Sequence, residues 1–154
     1  MNLTTRFIPV ILLLVFTLSC KQKSEKNREQ TAEQIHQEVL TIDTHTDSPL
    51  NLTDPDFDIG KKHSYEESRT SLDFPRMEEG NLDAAFFAVF IDQKERTPEG
   101  YKKARQRANQ LFTEIKESVN ANPEMATLAK TPEDAYNIEK KGERAIYIGI
   151  ENGR

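Results

Sequence analysis

Three short runs of apolar residues stand out along the chain, each separated from the next by polar or periodic sequence. They cover residues 39–43, 84–91 and 145–150. The two longer runs do not alternate apolar with polar side chains, as a strand with one solvent-facing side would. Unbroken apolar runs of this length are typical of strands in a parallel sheet that helices cover on both faces. The pattern therefore predicts a parallel sheet.

Periodic apolar positions between the runs predict two helices. Residues 98–120 carry apolar side chains at three- and four-residue spacing along one stripe, with charged residues over much of the other face. The second helix starts at Thr131, which is followed by Pro132 and two acids, and it runs to Lys141. Gly142 is its expected C-cap.

Other parts of the chain give weaker signals. Residues 32–39 predict a short amphipathic helix that leads into the first strand, with His36 as a partly buried helix residue. Residues 125–130 are consistent with a short strand. Residues 48–75 form a long polar stretch with three prolines, which predicts irregular structure. His63 lies in this stretch beside two lysines, and we expect it to be exposed and not catalytic.

The order of elements is strand, helix, strand, helix, strand. Such alternation implies right-handed crossovers and parallel pairing, so the predicted class is α/β. The net charge of −5 gives no basic surface, and we therefore expect no nucleic-acid partner.

The first nineteen residues predict a targeting segment. Arg6 precedes the apolar residues 7–18, which are too short for a membrane span, and Cys20 follows. The sequence around Cys20 resembles a bacterial lipoprotein lipobox. The resemblance implies that residues 1–19 are a lipoprotein signal peptide, that Cys20 is lipidated, and that the polar residues 20–31 tether the protein to a lipid membrane. Lys21 after the cysteine implies the bacterial cell envelope, at the outer membrane facing the periplasm. Cys20 is the chain's only cysteine, so no internal disulfide can form.

Candidate chemistry lies at the ends of two predicted strands. His45 and Asp47 follow the first run at i and i+2, a spacing that places both side chains on one face of a strand. Glu151 follows the third run. The carboxyl ends of parallel strands meet at one edge of the sheet, which is where α/β barrels build their active sites. Imidazole and carboxylate groups converging there are ligands suited to a divalent metal ion.

Three blocks of sequence resemble successive blocks of the membrane (renal-type) dipeptidases, a zinc metallopeptidase family. They are residues 42–47 (IDTHTD), 72–89 (LDFPRMEEGNLDAAFFAV) and 149–153 (GIENG). The resemblance covers nearly all of the chain after residue 41. It implies a (β/α)8 barrel of the TIM type with two zinc ions at its mouth, and dipeptides as substrates. It leaves open a homodimer of the full-length protein.

The resemblance also implies roles for individual residues. His45 and Asp47 would bind the first zinc ion, and Glu151 would be the carboxylate that bridges both ions. A bridging carboxylate offsets the repulsion between two cations about 3.5–4 Å apart, and such a pair activates a water molecule for hydrolysis. No serine or cysteine nucleophile is then needed.

The chain is shorter than the barrel that it resembles, since a (β/α)8 barrel takes about 250 residues. We therefore expect residues 32–154 to be the N-terminal portion, with three to four βα units, of a dipeptidase barrel. Three metal ligands are too few for two zinc ions, so we expect this fragment to be inactive. An open sheet would also leave large apolar side chains partly uncovered, and we expect this of Phe86, Phe87, Phe90, Ile146, Ile148 and Ile150.

Two other functions remain open from the sequence. One is a lipid-anchored binding or assembly module without catalysis, in which Asp47 and Glu151 are strand-end caps and His45 is structural. The other is a different metal-dependent amidohydrolase that acts on a non-peptide amide, because the bond cleaved depends on residues elsewhere in a barrel.

Overall fold

A parallel sheet of four strands lies at the centre of the structure, a computed structural model that describes residues 30–152. The strands are β1 (Ile42–Thr46), β2 (Ala84–Phe90), β3 (Ala126–Leu128) and β4 (Arg144–Glu151). Their order across the sheet is β1-β2-β4-β3, and all three pairings are parallel. The predicted α/β class and the parallel sheet are confirmed.

The short strand β3 is placed out of sequence order at one edge. It pairs only with the start of β4, from Ala126 opposite Arg144 to Leu128 opposite Ile146. Strand β2 pairs with β4 along its whole length, from Ala84 opposite Ala145 to Phe90 opposite Glu151. The three longer strands therefore follow one another in chain order, as in the wall of a barrel, and β3 covers only the amino end of β4.

The helices are, in chain order, α1 (Ala32–Glu38), a 3-10 helix (Ser48–Thr53), α2 (Tyr65–Ser68), α3 (Phe74–Glu79), α4 (Pro98–Ala121) and α5 (Pro132–Glu139). Three of the helices, α1, α4 and α5, agree with the predicted positions with differences at their ends, and the 3-10 helix, α2 and α3 were not predicted. Helix α5 ends two residues before the predicted Lys141. Its C-cap is Lys140 and not the predicted Gly142. Residues 140–142 form a turn, in which Gly142 has φ +81° and donates to the Glu139 carbonyl at 2.8 Å. No helix within residues 30–152 is long and apolar enough to cross a membrane.

The first strand begins later than the apolar run does. The run covers residues 39–43, whereas β1 runs from Ile42 to Thr46. As predicted, His45 and Asp47 lie at the carboxyl end of this strand: His45 is within it and Asp47 directly follows it. Just before the strand, the Thr41 carbonyl accepts hydrogen bonds from the backbone N–H groups of Asp83 and Ala84.

The prediction of irregular structure over residues 48–75 was wrong in part. The segment contains the 3-10 helix and α2, and it buries Leu52, Ile59 and Leu72 in the main core. These apolar residues occur singly among polar ones, so hydrophobic periodicity did not predict their burial. His63 was expected to be exposed, but it is half-buried and stacks on Phe57 at 4.7 Å between ring centroids. Its Nε2 lies 2.8 Å from the Asp58 carbonyl.

Helix α1 forms as predicted but buries no residue. Its apolar side chain Ile35 remains 46% exposed, and Val39, directly after the helix, remains 48% exposed. His36, expected to be partly buried, is exposed, and its Nε2 lies 3.0 Å from the Gly80 carbonyl oxygen. Amphipathic spacing alone does not decide how far a helix is covered.

Two clusters of apolar side chains cover the two faces of the sheet. On one face, Leu111, Ile115 and Val119 of α4 pack in one core with Phe87 and Ile146. The expected exposure of Phe87 and Ile146 was therefore wrong, because α4 covers them and both are fully buried. On the other face, a smaller cluster joins residues of β2, β4 and α5: Ala84, Ala135, Ile138, Ala145 and Tyr147. Burial fades toward the carboxyl end of β4, where Ile148 is half-buried and Ile150 is 67% exposed.

A buried carboxylate at the amino end of β2 connects the three longer strands. Asp83 is 5% exposed, and its Oδ2 accepts hydrogen bonds from the backbone N–H and the hydroxyl of Thr41, at 2.8 and 3.0 Å. Its Oδ1 pairs with Arg144 of β4 at 3.2 Å. A buried charge is tolerated only when it is paired and hydrogen-bonded, and Asp83 meets both conditions.

Removing the Asp83 carboxylate should destabilise the fold strongly. We expect Asp83→Ala to lower the free energy of unfolding by about 3–5 kcal/mol, because it leaves Arg144 nearly buried without its counter-charge. Urea denaturation followed by circular dichroism measures this. The exposed pair Lys62–Glu79 is the control, since Glu79→Ala should cost at most about 1 kcal/mol. Equal costs for the two variants would contradict the role given to Asp83.

The start of α5 should make stability depend on pH. Hydrogen bonds from the backbone N–H of Lys130 and then of Thr131, both 2.8 Å to Oδ2, hold the pKa of Asp134 below its usual value. A carboxyl group whose pKa is lower in the folded than in the unfolded state stabilises the fold at pH values above the unfolded-state pKa of about 3.9. This contribution is lost as the pH falls through the folded-state pKa. We expect Asp134→Asn to lower the urea midpoint at pH 7 and to match the wild type at pH 2. A midpoint difference that is the same at both pH values would contradict this.

Candidate metal centre

The carboxyl ends of β1 and β4 bring the predicted ligands together. His45 is the fourth residue of β1 and Asp47 is the first residue after it, so their side chains emerge on the same face. Glu151 ends β4, which lies one strand away, because β2 stands between the two. Glu151 lies more than 100 residues after His45 and Asp47 in sequence, and it meets them because the strands run parallel.

The distances between the three side chains are short. His45 Nε2 lies 3.2 Å from Glu151 Oε2 and 3.5 Å from Asp47 Oδ1. One ligand atom from each of the three residues lies within 4.8 Å of both others. Within residues 30–152, this is the only group of three or more such side chains that could hold a metal ion.

The donor atoms fit a divalent ion such as zinc. Nitrogen and oxygen ligands bonded at about 2.0–2.2 Å to a tetrahedral zinc ion lie roughly 3.3 Å from one another. The two measured contacts of the imidazole, 3.2 and 3.5 Å, bracket that spacing. The set is one neutral imidazole and two carboxylates, whose two negative charges would balance one divalent cation. The residues therefore fit the metal ion that the sequence pattern suggested.

The three side chains are open to solvent, with exposures of 51% for His45, 60% for Asp47 and 43% for Glu151. Contacts between exposed charged groups contribute at most about 1 kcal/mol to stability. The cluster therefore contributes little to the stability of the fold. It places accessible nitrogen and oxygen atoms at the edge of the sheet.

The backbone around the ligands is held locally. The N–H of His45 donates to Asp43 Oδ1 at 3.0 Å, inside the irregular stretch of pairing between β1 and β2. Asn152 follows Glu151 in the left-handed region at φ 58°, and its side chain accepts a 3.3 Å hydrogen bond from Gln93. Asparagine tolerates this conformation better than most residues, although glycine would suit it best.

A chain of hydrogen bonds fixes the residues on either side of Asp47. The hydroxyls of Thr46 and Ser48 are 2.9 Å apart, and Ser48 also bonds the hydroxyl of Thr70. The Thr70 carbonyl accepts from Arg76 at 3.0 Å, and Arg76 Nε donates to the fully buried Asp73 at 2.7 Å. The position of the ligand Asp47 is thus tied to the start of α3.

Asp73 and Asp83 lie in the second of the three sequence blocks, residues 72–89, but no role was predicted for either. For Asp73 a signal was present, because an aspartate followed by Phe74 and Pro75 is an N-cap pattern. The structure shows that Asp73 caps α3, accepting from the Arg76 N–H at 2.8 Å. For Asp83 no local signal exists, since its partners lie 42 and 61 residues away.

The other candidate residues lie apart from this cluster. His36 and His63 each contact a backbone carbonyl and are not in the group of possible ligands. Cys20 lies outside the described residues. Tyr147 shares a face of β4 with Glu151, but burial raises its pKa, and nearby carboxylates add to this. It stays protonated at neutral pH and donates to the Thr131 carbonyl at 2.8 Å.

Comparison with known proteins identifies the family. The family model of the membrane dipeptidases (peptidase family M19) matches residues 29–154. This chain belongs to the membrane dipeptidase family, as the three sequence blocks indicated. No curated protein sequence matches the chain.

Solved structures share the fold. The crystal structure of the probable dipeptidase PvdM from Pseudomonas aeruginosa aligns with a TM-score of 0.65 at 22% identity, covering 77% of this chain and 29% of PvdM. The dipeptidase AC, a metallopeptidase of family M19, aligns with a TM-score of 0.59 at 19% identity, covering 73% of this chain and 35% of that one. The chain thus spans about a third of the length of these structures. The predicted fold class, part of a TIM-type hydrolase barrel, is confirmed.

Proposed function

We propose that this chain supplies the first three ligands of a zinc-dependent dipeptidase: His45, Asp47 and Glu151. The observation that carries the proposal is the convergence of one imidazole and two carboxylates within 4.8 Å at the carboxyl edge of a parallel sheet. Family membership supports a peptidase whose substrates are dipeptides. A metal-dependent amidohydrolase that acts on a non-peptide amide would use the same types of metal ligand. Membership of the dipeptidase family favours the peptide bond as the bond that is cleaved.

Each of the three residues has a definable task. His45 presents Nε2 as a neutral nitrogen ligand, while Asp47 and Glu151 supply the negative charge that holds a dication in an exposed place. Glu151 carries two oxygens, so one carboxylate can serve two ions. When bound, zinc lowers the pKa of a coordinated water molecule and polarises a carbonyl group. The side chains therefore provide both the site for the ion and its charge balance.

The described residues provide one group of ligands only, which is too few for two zinc ions. The proposal is therefore that residues 30–152 bind zinc at His45, Asp47 and Glu151 and hydrolyse no dipeptide unless further ligands are supplied. High exposure of all three side chains supports this, because an open site neither excludes water nor fixes a substrate.

Zinc titration of the full chain tests the metal site. Isothermal titration calorimetry should show zinc binding that weakens about tenfold or more in His45→Ala and in Glu151→Gln, since losing a ligand costs at least as much as losing a residue that supports one. His36→Ala is the matched control, because His36 is also exposed and lies outside the cluster. The zinc affinity of this variant should equal that of the wild type. Equal affinity in His45→Ala and the wild type would overturn the assignment.

A hydrolysis assay tests the proposed lack of activity. The full chain with added zinc should release no more alanine from alanyl-alanine than the His45→Ala variant does, measured by amino-acid analysis. Release well above that variant would show that three ligands suffice and would refute this part of the proposal.

The sequence of residues 1–31 supports a further proposal, that the protein is a lipoprotein held in the bacterial envelope through acylated Cys20. Residues 7–18 are apolar, and Cys20 follows at the position of a lipobox cysteine. Residues 21–31 are almost entirely polar and would link the anchor to the domain. Lys21 favours the outer membrane, with the domain facing the periplasm.

Mass spectrometry of the protein expressed in a Gram-negative host tests the anchor. The mature chain should begin at residue 20 and carry the mass of acyl groups on Cys20, and Cys20→Ala should lose both that mass and sedimentation with membranes. Because acyl chains contribute about 0.8 kcal/mol per buried methylene, the loss of membrane binding should be nearly complete. Unmodified mature protein in the wild type would contradict the proposal.

A further inference from the structure

Helix α1 and the residues after it expose large apolar side chains. The helix buries no residue; Ile35 lies on it, and Val39 directly follows it. The Val39 N–H donates to the Ile35 carbonyl at 3.1 Å, which places these two residues one helical turn apart on the same side. Ile42, the first residue of β1, is exposed as well. Three large apolar side chains are thus presented to solvent within residues 35–42.

Two contacts fix α1 at the amino edge of the sheet. His36 Nε2 lies 3.0 Å from the Gly80 carbonyl oxygen, and the side-chain amide of Asn81 donates to the His36 carbonyl at 2.8 Å. Gly80 and Asn81 follow α3 and lead into the amino end of β2. Helix α1 itself leads into the amino end of β1. Its apolar side chains therefore belong to a fixed surface at the edge opposite the candidate metal centre.

Further exposed apolar side chains lie near the same edge. Met125 directly precedes β3, and its carbonyl accepts from the Arg144 N–H at the start of β4, at 2.7 Å. Tyr136 lies in the last turn of α5, which leads into β4, and both Met125 and Tyr136 are exposed. Five of the nine exposed large apolar side chains of residues 30–152 are thus at this end of the strands. Apolar side chains together with tyrosine and lysine are typical of protein surfaces that lie in a membrane interface.

Charges at the amino edge are mixed. The exposed lysines Lys140 and Lys141, in the turn before β4, lie between Glu139 and Glu143 in the chain. Attraction to anionic lipid therefore contributes little, and apolar contact is the interaction that this edge offers to a membrane.

The sequence places the amino edge close to the proposed lipid anchor. Ala32, the first residue of α1, is the twelfth residue after Cys20. Twelve residues reach at most about 43 Å when fully extended. The carboxyl edge lies at the far end of the strands, of which the eight-residue β4 spans about 26 Å. Because the acyl chains already hold the protein at the membrane, a modest apolar contact suffices to select the edge that touches the lipid.

We infer that the amino edge of the sheet rests on the surface of the phospholipid membrane, with Ile35, Val39 and Ile42 in its headgroup region. The candidate metal centre then faces away from the lipid and is open to soluble ligands. This inference rests on the proposed acylation of Cys20, since the anchor supplies the affinity for the membrane and the apolar side chains supply the orientation.

Site-specific fluorescence of the full, acylated chain tests the orientation. A nitrobenzoxadiazole label is attached in Val39→Cys and, as a matched control, in Tyr101→Cys. The two side chains are 48% and 49% exposed, and Tyr101 lines a cavity with Ile91 and Asn152, which follow the carboxyl ends of β2 and β4. Acylated Cys20 carries no free thiol and takes no label.

The label is read in vesicles of phosphatidylethanolamine and phosphatidylglycerol, with and without nitroxide-labelled acyl chains. At residue 39 it should shift to the blue and be quenched by the nitroxide, because apolar side chains of interfacial helices enter the acyl boundary by about 5–10 Å. At residue 101 it should do neither.

A polar substitution separates apolar contact from mere proximity to the anchor. Ile35→Asn, made in the labelled Val39→Cys chain, should reduce both the blue shift and the quenching. Tyr65→Asn is the control, because Tyr65 is exposed on α2, which Asn51 of the 3-10 helix ties to the carboxyl side of β1. Both variants should keep the circular dichroism of the parent, since neither side chain is buried.

The outcomes separate this inference from the proposed anchor. Acylated protein with no quenching at residue 39, or with equal quenching at residues 39 and 101, overturns the inference and leaves the anchor standing. Quenching that Ile35→Asn and Tyr65→Asn reduce equally also overturns it, because the apolar side chains of α1 then do not set the orientation. A mass spectrum that shows no acyl groups on Cys20 refutes the anchor, and the inference falls with it.

Discussion

The register of the three longer strands is the constraint on which the rest of the structure depends. Side chains alternate between the faces of a strand, so a slip of one residue between β1 and β4 would move His45 and Glu151 to opposite faces. Asp83 opposes such a slip at the amino ends. Its carboxylate bonds Thr41, just before β1, and Arg144, at the start of β4, while Asp83 itself precedes β2. The same carboxylate that stabilises the sheet at one edge thus helps to align the candidate ligands at the other.

The two edges of the sheet differ in a way that suits their tasks. At the amino edge, charges are buried and fully paired, which makes them structural. At the carboxyl edge, the charged side chains are about half exposed and converge on one another. Because exposed ion pairs contribute little to stability, the side chains at the carboxyl edge can serve as candidate metal ligands at little cost to the stability of the fold. This division of stability and chemistry between the two ends of the strands is general in barrels of this type.

The segment between β1 and β2 does more than connect the two strands, because it contributes to the core and to the hydrogen bonds around Asp47. It buries Leu52, Ile59 and Leu72 beneath the sheet and carries the network from Asp73 through Arg76 and Thr70 to Ser48. The residues that flank Asp47 are therefore positioned by hydrogen bonds from a distant part of the chain. A ligand at the end of a strand needs such support, since the strand no longer holds it.

Local sequence patterns were sufficient to predict the α/β class, the long helix α4 to within one residue, and the residue types of the candidate metal centre. They sufficed because unbroken apolar runs, three- and four-residue periodicity and capping residues are local signals. Which side chains meet depends instead on tertiary packing. The tie between Asp83 and Arg144 joins residues 61 positions apart. The half-burial of His63 depends on how its segment folds to stack the ring on Phe57. Local sequence patterns do not predict such partners, because burial and pairing are properties of the packed chain and not of the single residue.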